Sequence, residues 1–303
     1  MPPPVYYCDH FEVVLPRGHR FPMHKYALLR ERLVAELVIP AADLHAAEPA
    51  PIEAVLAVHD ANYVHRFLDG TLERSAIQRI GLPWSREFVA RSLASVGGTL
   101  KAAHSALEFG LSGHLAGGTH HAHRAHGSGF CVFNDIAIAA VDLLARGLVK
   151  RVLVVDLDVH QGDGTASIFE HDERVFTFSI HGERNFPSRK PRGDLDVALP
   201  DRTGDDEYLA AVRANLLLAI ERSKADFVFY QAGVDPLAGD RLGRLALTHK
   251  GLFERDKLVF GAARHLRLPL VLTLGGGYCE PIDATLEAHV NTYRAAREVL
   301  SGR

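Results

Sequence analysis

RVLVVDLDVHQGDG, residues Arg151–Gly164, carries the strongest structural signal in the chain. Val152, Leu153, Val154 and Val155 form an unbroken apolar run rich in β-branched residues, which is how a parallel strand covered on both faces reads. Asp156, Asp158 and His160 follow at i, i+2 and i+4, and an extended backbone sends all three side chains to one side. Asp and Gly are also ordinary turn residues, so a capping turn is the plain alternative. Two carboxylates placed just after four buried apolar positions, however, need a partner to stay charged, and ligands of open α/β sheets gather beyond the carboxyl ends of strands. The stretch reads as a central strand ending in a metal or catalytic site.

Outward from it, strands and helices alternate. Val5–Cys8 is a short apolar first strand, and an amphipathic helix runs through Leu28, Leu29, Leu33 and Leu37. A helix near Pro51–Val58 precedes the turn-like Ile80–Trp84. Residues 85–109 have helical spacing, with Ser85 as N-cap and Gly110 as stop. A histidine-rich loop, Ala116–Gly129, leads to a helix over Phe133–Leu144. Beyond the central strand come a strand at Val175–Ile180, a long loop to Asp201, a helix at Asp205–Arg222, and a buried strand at Phe227–Gln231. A helix at Leu252–Arg264, a strand at Leu268–Leu274 and a helix from Pro281 to Leu300 close the chain. No composition shift, linker or internal repeat divides it. The expectation is an α/β fold, one domain over residues 1–303, with an open and mostly parallel sheet flanked by helices and the site at the C-terminal strand ends.

Composition narrows the function. At 303 residues, 47% hydrophobic and 23% charged, the chain can bury a sizeable core, and a formal net charge of −3 offers no basis for direct nucleic-acid binding. Cys8, Cys131 and Cys279 form neither a CxxC pair nor a small disulfide framework, so a reducing, cytoplasmic setting is expected. MPPPVYY lacks a basic segment followed by an apolar one, and no apolar run reaches membrane-spanning length; no membrane partner is expected. Oligomeric state has no signature in the sequence.

Three strand ends carry chemistry: Asp158 and His160, Asp235, and Gly275–Tyr278. Asp158, His160 and Asp235 would give a divalent ion one nitrogen and two carboxylate donors with positions left open, as catalytic zinc sites do; iron is also compatible. Asp235 alone could be a turn residue. His120 and His121 suit a proton-transfer pair, with Asp156 and Asp163 orienting their second nitrogens. His123 and His126 read as loop histidines. Gly275–Gly277 lets the backbone pass close to a ligand, and Tyr278 could direct its hydroxyl at a developing oxyanion or be an ordinary buried tyrosine.

Taken together, GGTHHAHRAHGSGFCVFND (117–135), VDLDVHQGDG (155–164), FYQAGVDPLAGDRLG (229–243) and LGGGY (274–278) resemble the zinc-dependent histone deacetylase superfamily of the arginase/deacetylase fold. FPMHKY, IGLPWS, GDDEYL and GDRLGRLALT look more like the class IV branch and its bacterial relatives than classes I or II. The resemblance implies that Asp158, His160 and Asp235 bind Zn2+. It makes His121 with Asp163 the general base and acid, His120 with Asp156 its electrostatic partner, and Tyr278 the donor to the substrate carbonyl. Phe130 and Phe186, with Gly129 and Gly276, would form the narrow acyl-lysine channel. A structural K+ ion would sit at Asp156, Asp158, His160, Ser179 and Ile180.

The activity so implied is removal of an acyl group, acetyl or longer, from lysine of a peptide or protein or from a related small amine. Acetylpolyamine amidohydrolase and long-chain lysine deacylase are the alternatives. A binuclear ureohydrolase of the arginase branch would need further bridging carboxylates, and GVDP supplies one Asp. A non-catalytic acyl-lysine binder would be expected to have lost Tyr278 or a ligand, and all are present.

Overall fold

The computed structural model describes residues 3–301. Eight strands form one sheet: β1 (Val5–Tyr7), β2 (Leu44–Ala46), β3 (Leu111–His114), β4 (Val152–Asp156), β5 (Val175–Gly182), β6 (Leu195–Leu199), β7 (Phe227–Gly233) and β8 (Leu270–Gly275). Their spatial order is β2-β1-β3-β8-β7-β4-β5-β6, and every pairing is parallel. Helices cover both faces, so the middle strands are apolar on both sides. In β4, Leu153 and Val155 enter one core cluster while Val152 and Val154 enter the other. β7 splits likewise, with Val228 and Tyr230 on one side and Phe227 and Phe229 on the other.

The winding places the site. From β4 the chain moves outward through β5 and β6, then returns to lay β7 against the other edge of β4 and continues to β8. That reversal makes the crevice beyond the carboxyl ends of β4 and β7 a topological switch point, where open α/β sheets bind ligands.

The expected helix at 85–109 is present as Arg86–Phe109: the Ser85 hydroxyl accepts the Phe88 N–H at 3.0 Å, and Gly110 ends it in a left-handed conformation, φ 79°. Three strands lie outside the expected elements. β3 is LSGH, with Ser112 and His114 buried although polar; β2 is a three-residue edge. β6 lies within the expected loop to Asp201, and its half-buried and exposed residues alternate as at a one-sided sheet edge. The helix Asp163–Phe169 is also additional, beginning inside the metal-type motif. Among the described residues no helix is long and apolar enough to cross a membrane, and Cys8, Cys131 and Cys279 are free and buried.

Candidate active site

Asp158, His160 and Asp235 bring one donor atom each to within 4.8 Å of one another, all buried. His160 Nδ1 is 2.9 Å from Asp158 Oδ1 and 3.1 Å from Asp235 Oδ2. Asp235 Oδ1 accepts the Val159 N–H at 2.9 Å, while the buried Oδ2, although close to His160 Nδ1, is not aligned for a hydrogen bond with it. Burial and the neighbouring Asp158 push the Asp235 carboxyl up to about 7. Burial would lower His160, but Asp235 and Asp158 hold it up at about 10. Two buried carboxylates crowding one ring nitrogen, which has a single proton to give, fit a divalent cation better than that proton.

Asp156 is not one of the trio's donors and engages His120 instead. β4 ends at Asp156, and its carboxylate accepts from His120 Nδ1 at 2.6 Å and from the Asp158 N–H at 3.1 Å. His121 Nδ1 makes the parallel contact with Asp163 Oδ1 at 2.6 Å, and the two histidine rings lie 4.1 Å apart. Burial favours the neutral form of both rings. At His120 the Asp156 carboxylate outweighs it and raises the ring to about 9. At His121 burial, reinforced by the His120 charge, lowers the ring to about 4 despite Asp163. The two environments thus push the rings apart, favouring the charged form of His120 and the neutral form of His121.

The surrounding backbone makes room for these groups. Gly276, at φ 60°, passes so close to Asp235 that a Cβ there would collide with its carboxylate. Gly129, at φ 53°, would place a Cβ 2.6 Å from His121 Cδ2. Phe130 also adopts a left-handed conformation, φ 67°, with its N–H donated to the Ile80 carbonyl at 2.7 Å. Phe186 stands edge-on to His121, ring centroids 4.9 Å apart, and is 43% exposed. Phe130, Phe186, Gly129, Gly276 and Tyr278 line one cavity of about 400 Å³ with His120, His121 and the trio. Tyr278 is buried, which keeps its phenol protonated well above the usual tyrosine range. Ser179 and Ile180 are buried on β5, where Ser179 pairs in register with Asp156; the Ser179 hydroxyl is 2.9 Å from His181 Nδ1.

Several contributors were not foreseen. His123 and His126 read as loop histidines from the sequence; His123 Nε2 lies 3.2 Å from Asp163 Oδ2 and its ring stacks on His126 at 4.5 Å. Asp240 accepts the Tyr278 N–H at 2.6 Å and so fixes the backbone that presents the phenol. Lys25, buried, donates to the Gly276 carbonyl and lies 5.1 Å from the Tyr278 ring centre; burial lowers it to about 8. Gln231 on β7 donates to the Gly118 carbonyl at 3.1 Å, and Asp135 accepts from the N–H groups of Gly118 and Thr119 at 3.0 and 2.7 Å, which together anchor the histidine loop. Only the FPMHKY and GDRLG stretches hinted at Lys25 and Asp240, and periodicity alone marks neither.

Residues 19–293 match the model of the histone deacetylase domain. An uncharacterised protein of Picosynechococcus sp. is 46% identical over 98% of this chain and 99% of its own length. Histone deacetylase 2 of Arabidopsis thaliana is 32% identical over 75% of this chain, which spans 62% of that protein's length. The crystal structure of the HDA15 HD domain superposes with a TM-score of 0.80 at 24% identity, covering 99% of this chain and 91% of that one, and shares its fold.

Proposed function

Because the chain belongs to the histone deacetylase family, we propose that residues 1–303 form one zinc-dependent amidohydrolase unit that removes an acyl group, acetyl or longer, from the side-chain amine of lysine or from a related small amine. The observation carrying this reading is the buried Asp158–His160–Asp235 trio facing two His–Asp pairs across one cavity. Zn2+ held by the trio would supply a Lewis acid for the amide carbonyl and lower the pKa of water in the cavity. His121, uncharged near neutral pH and bound to Asp163 through Nδ1, has Nε2 free to take a proton from the attacking water. The same ring then hands that proton to the leaving amine. His120, held cationic by Asp156, offsets negative charge that grows beside it. Tyr278 donates its hydroxyl hydrogen to the carbonyl oxygen as that oxygen gains charge. Phe130 and Phe186 flank the slot for the acyl-lysine chain, with Gly129 and Gly276 giving it depth. The products are a carboxylate and a free amine. K+ is proposed beside the same strand end, with Asp156, Asp158, His160, Ser179 and Ile180 around it, and a reducing cytoplasmic setting suits the three free thiols.

The test combines metal analysis with a substrate screen. Purified protein is expected to hold about one zinc-class ion per chain, with one K+ retained after dialysis, and to hydrolyse acyl-lysines in a screen of increasing chain length run beside acetylpolyamines. Hydroxamates, which chelate a metal with open positions, are expected to inhibit. Two divalent ions per chain with urea released from a guanidino substrate, or an active enzyme insensitive to micromolar hydroxamate, would overturn the assignment.

A further inference from the structure

The cavity mouth is cationic. Besides the metal trio's Asp158 and Asp235, no carboxylate lines the cavity among the described residues, whereas Arg20, Lys25, Arg184 and Arg244 all do. A divalent ion at the trio would match the two carboxylate charges, and buried Lys25 also faces Asp240, so the cations left to compensate are those at the rim. Arg244 is partly neutralised by Asp201 at 3.3 Å. Arg20 and Arg184 are exposed and have no ion-pair partner among the described residues. Arg184 also begins a basic run beside Phe186, with Arg189, Lys190 and Arg192 against Glu183 within it; Asp194 and Asp196 follow the run, and Asp163 and Asp196 face Lys190 rather than Arg184. Lys190 spends its ammonium on the carbonyls of Glu183, Asn185 and Pro187, which ties that run into a fixed loop. Outside the rim, Arg241 pairs with Glu280. The overall charge of −3 hides this local excess.

On the reading above, we propose that this mouth selects acylated amines carrying negative charge near the scissile amide, an acyl-lysine flanked by acidic residues or bearing its own free carboxylate, and disfavours acylated polyamines and lysine- or arginine-rich peptides. Low-dielectric walls focus the field of the rim arginines into the cavity, so a substrate's flanking charge acts on encounter and on KM more than on the chemical step. Opposite charges flanking the acyl-lysine are therefore separated in rate by about tenfold or more at low salt. The effect fades as the Debye length shrinks from about 30 Å at about 0.01 M salt to about 3 Å at about 1 M.

The experiment compares acetyl-lysine peptides of one length with Asp, Ala or Lys flanks, α-amine-blocked acetyl-lysine with a free or an amidated carboxylate, and acetylspermidine. Turnover and equilibrium binding of the fluorescently labelled peptides are both measured at the two ionic strengths. Asp flanks are expected to lower KM and tighten binding about tenfold over Lys flanks at low salt, with kcat little changed and the gap closing at high salt. The two blocked amino acids distinguish a peptide from a small-molecule source of the same charge. In an Arg20→Glu, Arg184→Glu variant whose thermal unfolding matches the parent, the order reverses. Equal binding and equal KM for Asp and Lys flanks, or a preference for acetylspermidine, overturns the inference. Absence of turnover on the Ala-flanked peptide would count against the deacylase reading, while charge-dependent binding would still report on the rim.

Discussion

Tyr278→Phe is expected to lower kcat by about 10²- to 10³-fold, the effect of losing one preorganised oxyanion donor, worth about 2.7–4 kcal/mol. The phenol is delivered by the backbone as much as by its own packing. The Tyr278 N–H is tied to Asp240 at 2.6 Å, Gly276 bends the chain against Asp235, and the ring lies 6.0 Å from Phe130 and 6.3 Å from Phe21. Burial keeps the hydroxyl protonated, as a donor must be. Phenylalanine preserves all of those contacts, so bound metal should stay at the parental level. Asp158→Ala, by contrast, removes a member of the trio and is expected to lose metal and activity together. Measuring kcat and bound zinc on both variants separates the two roles; a Tyr278→Phe enzyme with near-parental kcat would reduce the tyrosine to a packing residue.

The second large effect lies beneath the site. Arg255, in the helix His249–Leu266, is fully buried. Its Nη1 donates to the carbonyls of Gly233 at 2.6 Å and Leu157 at 3.2 Å, and its Nε donates to Asp256 at 2.8 Å. Tyr230 donates to the same Asp256 oxygen at 2.5 Å. Leu157 adjoins Asp158, and Gly233 lies two residues before Asp235, so one guanidinium braces the backbone under two of the three proposed ligands. Arg255→Met leaves Asp256 charged and without its cation in the core, which is expected to cost about 3–5 kcal/mol of unfolding free energy and to weaken metal retention. Adding Asp256→Asn should restore part of the stability. Denaturant unfolding of the single and double variants checks this, and a loss below about 1 kcal/mol for Arg255→Met would mean that the brace is dispensable.

What the sequence made legible follows from how local each signal is. β4, β7 and β8 are continuous apolar runs because both of their faces are covered, and the long helix at Arg86–Phe109 carries its own start and stop in Ser85 and Gly110. β3 was illegible because its buried residues are Ser112, Gly113 and His114, and the cost of burying His114 is offset at Nδ1 alone by Thr99, 3.1 Å away in the helix before it. β6 does alternate, but its five residues follow a Pro- and Arg-rich loop that masks the period. At the candidate site, the residues on the strand ends and in the histidine loop could be read from motifs. Lys25 could not, since it meets Gly276 from 251 positions away. His123 was passed over because no local pattern reveals that Asp163 has a second oxygen to share.

Phe130's left-handed backbone bears on any attempt to remodel the proposed acyl slot. With φ at 67° and its N–H clamped to the Ile80 carbonyl, the residue holds a conformation that costs a side-chain-bearing amino acid about 1–3 kcal/mol, stored locally in the wall. Trimming it to valine or isoleucine would sharpen that conflict, because β-branching crowds the same backbone. Glycine would release the strain while removing the wall, and asparagine would ease it while adding a polar edge. Re-engineering the chain-length preference here is thus a two-parameter problem in which backbone handedness ranks substituents ahead of their volume.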